Sequence, residues 1–343
     1  IVINIERLSK AADTFDEYGT YCDYDPSTPA YESFWQRETS RRKKGVFIKA
    51  KLYYKDIPKF FDANTTDEER ESLLQPLRIT GAHYTYLNYG RIERTPNDKE
   101  RARLKREGAE HVETVMGFPR YWDGDYWNFK IDEFIANNKF HLTKAKARRK
   151  GFSYKRGSQA ANTINLFPNV TVTLAADQLA YLTDKGATTF MAKKCLDHFE
   201  EHTFWKRGYI SEAIDDILMG YRVSTKGLKN FGWLSNLYSV AIGKNESAAV
   251  GKKAIEIDFE EAGKCPNLQK ALDVTLSNTE SGAISVGTIR IYGTGGTKGA
   301  NWAAFSKAFY NPKMNKMLCM ENVWDINKRH EVCGFFFPQV WDC

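Results

Sequence analysis

KFHLTKAKARRKGFSYKRGSQAANTINLF, residues 139–167, joins a short apolar run to a stretch of helical composition through a basic loop that contains glycine. We predict a strand at KFHLT, a helix over residues 153–167 and the loop KAKARRKGFS between them. A loop that leads into a helix N-terminus suits phosphate, because free N–H groups and the helix dipole both face the anion. Gly151 lets the backbone come close, and the Ser153 hydroxyl can ligate Mg²⁺.

The same loop departs at two positions from the consensus for phosphate-binding loops, G-x-x-x-x-G-K-[ST]. Phe152 stands where the consensus has lysine, and Lys146 stands where the loop should open with glycine. Strict matching therefore excludes a standard loop. A basic turn that enters a helix and binds nothing explains these residues equally well.

A second signal is the acidic end of a strand in KKAIEIDFEEAGKCPN, residues 252–267. Apolar residues alternate along this strand up to Phe259, which we take as its last residue. Acids at the carboxyl end of a parallel strand lie where ligands bind, so one can hold Mg²⁺ and the next can orient an attacking water. We assign Glu260 to the metal and Glu261 to catalysis, with Asp258 as the alternative metal-side acid. An acidic strand end without a function is the other interpretation.

A third strand end carries threonine and glycine. In SVGTIRIYGTGGTKG, residues 285–299, we predict a strand over Ser285–Tyr292 and then a flexible polar loop. From that loop the Thr294 hydroxyl can sense the γ-phosphate of a nucleotide. An ordinary glycine-rich turn is the alternative, so the order of the three segments is more informative than any one of them.

From residue 139 onward strands alternate with helices, which predicts an α/β fold with a mainly parallel sheet flanked by helices. The preceding residues are aromatic-rich and charged, and prolines divide them into short, mostly helical pieces. We therefore predict an N-terminal region, residues 1–138, that packs on an α/β core of residues 139–343. Within the core, the helical stretch after residue 177 is expected to break near Gly186.

The composition is that of a globular protein with a modest basic excess, since 50 Lys and Arg face 43 Asp and Glu over 343 residues. The cations concentrate at Arg41–Lys44, Lys99–Arg106 and Lys144–Arg156, which suits a polyanionic partner but also a solvated surface. No apolar run is long enough to cross a bilayer. The chain opens at Ile1 without methionine and stops in the apolar run FFFPQVWDC, so we expect a portion of a longer protein.

Taken in order, the basic loop, the acidic strand end and the Thr-Gly loop resemble the ATPase of phage large terminases, the DNA-packaging motors. KARRKGFS is similar to a variant loop of that family, which carries its lysine at the start and an aromatic residue before the serine. FEEAGKCPNL resembles the family's acidic motif, and IYGTGG resembles its coupling motif. Upstream, TPAYESFWQRETSRRKKG and ITGAHYTYLNYGRI are similar to the N-terminal region of terminases from large tailed phages.

The resemblance implies a P-loop NTPase fold and a Mg²⁺-dependent ATPase. It places ATP on the loop and on the third strand end, with these contacts: Lys146, Ala147, Arg148, Arg149, Lys150, Gly151, Phe152, Ser153 and Thr294. Lys146 would supply the charge that Phe152 lacks, because a flexible lysine can reach the same phosphates from the other end of the loop. Lys155 is a weaker candidate, since it lies inside the following helix.

The same resemblance implies roles for the remaining site residues. Ser153 and Glu260 would hold Mg²⁺, Glu261 would activate water, and Arg149 or Arg148 would stabilise the transferred charge. A neighbouring subunit would contribute a further arginine, with these candidates: Arg207, Arg222 and Arg290.

As a motor subunit of this kind, the chain would translocate double-stranded DNA into a procapsid, in the cytoplasm of the infected host cell and at the portal. Its expected partners are double-stranded DNA, the portal protein, the small terminase subunit and further copies of itself in a ring. DNA would be held through its backbone, without sequence preference. The candidate contacts are Lys226, Lys229, Lys252 and Lys253.

Two features depart from the family. Glu260 replaces the more usual aspartate, and no carboxylate cluster of a nuclease domain follows Tyr292, so we expect no DNA cleavage from this chain. Two alternatives stay open. One is another nucleic-acid-stimulated ATPase, such as a helicase. The other is a degenerate, non-hydrolysing DNA-binding module, for which Phe152 is the best argument.

Overall fold

The structure is a computed structural model of the chain. It describes residues 27–48, 66, 77–147, 150–203, 207–224, 227–243, 245–250, 253–278, 280–281, 284–285, 287–294 and 300–338. Within these ranges, no helix is both long enough and apolar enough to span a bilayer.

The described helices and strands are listed by their bounds. The helices are α1 Pro29–Lys44, α2 Gly81–Tyr89, α3 Asp98–Arg106, α4 Asp123–Asn138, α5 Phe152–Leu166, α6 Ala180–Thr183, α7 Thr188–His202, α8 Leu268–Asn278 and α9 Ala300–Tyr310. The strands are β1 Val46–Ile48, β2 Leu77–Ile79, β3 Ile92–Arg94, β4 Val115–Gly117, β5 Leu142–Lys146, β6 Thr171–Ala176, β7 Tyr209–Glu212, β8 Asp216–Met219, β9 Tyr221–Ser224, β10 Leu228–Phe231, β11 Asn236–Ala241, β12 Glu256–Phe259, β13 Glu280–Ser281, β14 Ile284–Ser285, β15 Thr288–Thr294, β16 Met320–Glu321, β17 Val332–Cys333 and β18 Phe335–Phe337.

Among the described residues, eight strands form the central sheet in the order β18-β5-β15-β12-β6-β11-β8-β7. The six strands from β18 to β11 are parallel to one another, and β8 and β7 continue the sheet in antiparallel pairing. Helices connect the parallel strands, as a parallel sheet requires. The predicted fold class, α/β with a mainly parallel sheet flanked by helices, is confirmed.

The strand predicted at KFHLT lies further along the chain, at Leu142–Lys146. Lys144 within it is 0% exposed, and its ammonium lies 2.7 Å from the carboxylate of Asp132 on α4. A buried ammonium is tolerated in a strand when a carboxylate pairs with it. The lysine-rich stretch can therefore remain a strand, and Lys146 is its last residue rather than the start of the loop.

Other predicted boundaries agree more closely with the structure. Phe259 is the last residue of β12, and the helical stretch after residue 177 is divided into α6 and α7 around Gly186, which has a φ of 90°. A positive φ is easily adopted only by glycine, so the break has a local cause. The third strand covers Thr288–Thr294 rather than Ser285–Tyr292.

Apolar side chains pack on both faces of the sheet. On one face, α8 and α9 cover a cluster that includes Phe259, Ile291 and Phe305. On the other, α5 and α7 pack with the N-terminal helices in a cluster that contains both Trp35 and Leu174. This cluster crosses the predicted boundary near residue 138, and the division of the chain there remains a prediction.

Candidate nucleotide-binding site

Three strand ends meet at one edge of the central sheet. Strand β15 lies between β5 and β12, and its register sets Thr294 opposite Lys146, the last residue of β5. Strand β12 pairs with β15 along its whole length and ends at Phe259, so Glu260 and Glu261 follow at the same edge. Four of the residues that we assigned to phosphate, metal and water, namely Lys146, Glu260, Glu261 and Thr294, therefore lie close together, at the carboxyl ends of parallel strands where ligands bind in such sheets.

The ammonium of Lys146 lies 3.5 Å from a carboxylate oxygen of Glu261, and the two side chains are 9% and 27% exposed. Lys264 approaches the other oxygen of Glu261 at 3.6 Å. The backbone of Glu261 is left-handed, with a φ of 48°. Such a conformation costs a non-glycine residue about 1–3 kcal/mol and is concentrated at functional sites.

Glu260 is buried and continues the sheet, since its N–H donates to the carbonyl of Ala175 at 2.8 Å. Its Oε1 accepts a hydrogen bond from the hydroxyl of Thr188, the first residue of α7, at 2.8 Å. Burial raises the pKa of the Glu260 carboxyl, and the nearby Lys146 opposes that rise. No described residue donates a hydrogen bond to the second oxygen, Oε2.

The carboxylate oxygens of Glu260 are suitable ligands for Mg²⁺. This ion is usually bound through one or two carboxylates together with substrate phosphates, rather than by a cage of protein ligands. In the described part of the chain, no group of three or more His, Cys, Asp and Glu side chains could hold a metal by itself. Ser153 is half-buried in the first turn of α5, after the loop. Ser153 and the Glu260 oxygen that accepts no hydrogen bond from a described residue thus offer oxygen ligands to an ion that arrives with a nucleotide.

The loop itself is described at its two ends. The N–H of Ala147 donates to the carbonyl of Phe337 at 3.4 Å, and Arg148 and Arg149 lie outside the described residues. Gly151 precedes α5 with a φ of 63°. A Cβ there would have nothing closer than 4.0 Å, so glycine is favoured at this position by the backbone conformation and not by a lack of space.

Phe152 is a core residue. It is 4% exposed, and its ring lies 5.1 Å from that of Phe337 and 6.1 Å from that of Tyr292, between centroids. Lys155 is also buried. Its ammonium pairs with Asp125 and donates to the carbonyl of Lys150 at 2.7 Å, so its charge has partners inside the protein. The aromatic residue at the consensus lysine position therefore packs inside, and the weaker candidate Lys155 is held within the protein.

A buried group of six charged residues lies one step below the edge, among the described residues of the same strands and of α4 and α5. We call it the central ion cluster; its members are Lys144, Arg156, Arg290, Asp132, Glu256 and Asp258. Arg156 lies 2.5 Å from Glu256 and pairs with Asp258. Arg290 lies 3.2–3.4 Å from Glu256, Asp258 and Asp132. No motif in the sequence predicted the central ion cluster.

The central ion cluster corrects two expectations. Asp258 was the alternative metal-side acid, but it is 0% exposed and both of its oxygens face arginines, Arg156 and Arg290. Its carboxylate is therefore not available to a metal at the edge. Arg290 was a candidate for an arginine that reaches into a neighbouring subunit, but it is 1% exposed, so its guanidinium cannot leave the protein.

Thr294 is half-buried at the end of β15, beside Lys146. Its carbonyl lies against Gly263, where a Cβ would come within 3.0 Å of that oxygen. The glycine of the Glu-Glu-Ala-Gly motif thus lets the second and third strand ends approach each other. Residues 295–299 lie outside the described part of the chain.

The remaining basic candidates that the structure describes lie at the opposite edge of the sheet. Strand β8 is antiparallel to β11, so it ends at Met219 far from the candidate site, and β9 and β10 follow as a separate, exposed hairpin. Arg222 and Lys229 are exposed on this hairpin, and Arg207 stacks on Trp233 at 3.9 Å from the ring centroid. Of the other DNA candidates, Lys253 is exposed before β12, and Lys226 and Lys252 lie outside the described residues.

Comparison with known proteins gives a likeness in structure alone. No protein-family model matches the sequence, and no curated protein matches it. A mutant of the large terminase ATPase domain of Thermus phage P74-26 is similar over 71% of this chain and 84% of its own, with 14% identity and a TM-score of 0.39. The ADP complex of a large terminase from a thermophilic bacteriophage is similar over 46% of this chain and 34% of its own, with 10% identity and a TM-score of 0.32. Both TM-scores are below 0.5 and both identities are below 25%, so neither likeness supports a statement about the role of any residue in this chain.

Proposed function

We propose that this chain is a Mg²⁺-dependent ATPase of the large-terminase kind, in which ATP hydrolysis drives the translocation of double-stranded DNA. The observation that carries the proposal is the meeting of Lys146, Glu260, Glu261 and Thr294 at the carboxyl ends of three adjacent parallel strands. ATP would lie there, with its phosphates on residues 146–153. Arg149 or Arg148 would stabilise charge on the transferred phosphoryl group.

The pair of Lys146 and Glu261 connects phosphate binding to the proposed catalytic carboxylate. The ammonium of Lys146 faces the carboxylate of Glu261 at 3.5 Å. Phosphate oxygens of ATP would compete for that ammonium, because a lysine is a mobile point charge. Glu261 would then be released to accept a proton from the attacking water, and hydrolysis would start only after ATP has entered.

Ser153 and Glu260 would hold Mg²⁺ at the metal side. When bound there, Mg²⁺ would supply positive charge that offsets the negative charge of the phosphates. Glu260 suits this role because its carboxylate is fixed by Thr188 and is inaccessible to most of the solvent.

DNA would be held at the opposite edge of the sheet. The hairpin segment, residues 220–232, contains three cations and no carboxylate, and its described residues are largely exposed. A two-stranded ribbon fits a groove of duplex DNA, and its cations can contact phosphates without reading sequence. A ring of copies at the portal, with the small terminase subunit, is the proposed working assembly.

The test is ATP turnover by the full chain with Mg²⁺, with and without blunt double-stranded DNA. We expect Glu261→Gln to lower the rate by about 10²–10⁴-fold, the usual contribution of a positioned base. Lys146→Ala should lower it by about 10²–10³-fold, because a positioned charge that stabilises the transition state is lost. Lys99→Ala and Glu107→Gln are matched controls, because both side chains are exposed on or just after α3. Both controls should keep the original rate.

Other outcomes separate the alternatives. Normal turnover by Lys146→Ala would move the phosphate contact to another cation of the loop. Nucleotide binding without turnover, at high protein concentration and with DNA present, would favour the non-hydrolysing DNA-binding module. Unwinding of a forked duplex would favour the helicase.

A further inference from the structure

Thr188 is the residue that contacts the metal-side acid from a separate element. It begins α7, it is 0% exposed, and its hydroxyl donates to Oε1 of Glu260 at 2.8 Å. A single hydrogen bond to a carboxylate contributes more than one between neutral groups, because the acceptor is charged. Thr188 therefore restricts the orientation of the Glu260 carboxylate just after β12.

The position of Thr188 is fixed by the backbone around it. The N–H of Ala187 donates to the carbonyl of Asp184 at 2.8 Å, and Gly186 takes a φ of 90° between them. On its other side, Thr188 meets Gly157 of α5, where a Cβ would lie 2.7 Å from the Thr188 carbonyl oxygen. The hydroxyl is thus held on a rigid support that involves both helices.

A glutamate needs such a support more than an aspartate does. Its extra methylene adds one rotatable bond, so its carboxylate can take more orientations at a strand end. With Oε1 held by Thr188, the second oxygen has no hydrogen-bond donor among the described residues and is available to an ion. The neighbouring Thr189 cannot substitute, because its hydroxyl lies 2.6 Å from that of Ser239.

We infer that Thr188 is a positioning residue for the metal site: it fixes the Glu260 carboxylate so that a glutamate can serve as the metal-side acid. The inference rests on the proposed Mg²⁺–ATP site and names a residue outside its three strand ends. A residue that orients a metal ligand typically changes metal affinity by about 10–100-fold when it is removed.

The experiment measures metal affinity rather than turnover. Mn²⁺ is titrated into the full chain saturated with a non-hydrolysable ATP analogue, and free Mn²⁺ is read by electron paramagnetic resonance. We expect Thr188→Val to weaken Mn²⁺ binding by about 10–100-fold. Thr188→Ser should restore it, because the hydroxyl returns. Thr189→Val is the control for the loss of a buried hydroxyl at the same helix start, and it should bind Mn²⁺ as the original chain does.

A double substitution tests the role of the longer arm. Glu260→Asp shortens the side chain and withdraws it from Thr188, so adding Thr188→Val to Glu260→Asp should cost little further affinity. Additive losses would overturn the inference. Circular dichroism and nucleotide affinity in the presence of EDTA should be equal for all variants, which shows that the fold and the loop are intact.

The outcomes distinguish this inference from the proposed function. If the original chain with the analogue binds no Mn²⁺, the ATPase proposal fails and the role of Thr188 fails with it. If the original chain binds Mn²⁺ and a folded Thr188→Val or Thr188→Ala binds it equally well, only the role of Thr188 is overturned.

Discussion

Lys144 and Lys146 lie two positions apart on β5, and Asp258 and Glu260 lie two positions apart at the end of β12. In each pair the two residues have different surroundings. Lys144 and Asp258 are 0% exposed and belong to the central ion cluster. Lys146 and Glu260 come two residues later, at the edge, where Lys146 faces Glu261 and Glu260 keeps an oxygen without a described hydrogen-bond donor. Residues two apart on a strand share a face of the sheet. Only their distance along the strand separates the two groups.

The difference teaches that depth within the sheet, and not residue type, divides structural charges from candidate catalytic ones. In the cluster, three cations face three carboxylates in a largely buried region, so removing one partner leaves a buried charge uncompensated. At the edge the charges are fewer, and Lys146 and Glu261 are partly exposed. We therefore expect stability to depend on the cluster and turnover to depend on the edge.

The largest expected effect on stability comes from Arg290→Leu. This change leaves Asp132, Glu256 and Asp258 with one cation fewer, and the free energy of unfolding should fall by about 3–5 kcal/mol. Lys146→Leu should change it by about 1 kcal/mol or less and still remove turnover. Urea denaturation at neutral pH measures both, with Arg222→Leu on the exposed hairpin as the control. Equal losses in the first two variants would erase the distinction between cluster and edge.

A smaller effect is expected in acid. Burial would raise the pKa of Glu256, but Arg156 and Arg290 together outweigh it and lower the pKa from 4.5 to about 2. The ionised carboxylate then contributes stability that is complete above about pH 4.5 and is lost as the pH falls toward 2, by about 3 kcal/mol in all. The stability gap between the original chain and Glu256→Gln should narrow as the pH is lowered from 7 to 3. A gap that stays constant with pH would contradict this, and Glu107→Gln serves as the exposed control.

The last expected effect comes from Phe152→Lys, which creates the consensus lysine of the phosphate loop. Because the side chain points toward Phe337 and Tyr292, the loss of apolar burial alone should cost about 2 kcal/mol of stability, and the new ammonium would lie beside those of Lys146 and Lys155. It should not raise the rate of ATP turnover. Phe152→Leu keeps an apolar side chain and should lose less. A faster Phe152→Lys variant would show that this position faces the nucleotide after all.

Much of the fold was predictable because its signals are local. Alternating apolar residues and a following acidic pair marked β12 and its end at Phe259, and Gly186 marked the break between α6 and α7. Asn97 caps α3 with a capping box to Glu100, a short-range pattern that can be read from a sequence. The order of the three strand ends along the chain was also read directly from the sequence.

The central ion cluster and Thr188 were not predictable in the same way. Arg156 and Asp258 are 102 residues apart in the chain and meet only through the strand order. A lysine at position 144 and a lysine at position 146 look alike in the sequence until Asp132 of α4 is known to lie beside the first. Thr188 belongs to no motif, and its partner is 72 residues away.

The contact between Gly157 and Thr188 has a mechanical consequence. A Cβ on Gly157 would lie 2.7 Å from both the Thr188 carbonyl oxygen and the Cβ of Met191, so there is no room for a methyl group between the helices. α5 and α7 therefore cannot slide past each other without a collision. Each helix is 15 residues long, or about 22 Å at 1.5 Å per residue. α5 begins at the loop, and α7 begins at Thr188, which contacts Glu260. Both helices end toward the edge that carries the basic hairpin. We expect them to turn as one lever, so a tilt of a few degrees at the nucleotide becomes a displacement of about an ångström or more at the far edge.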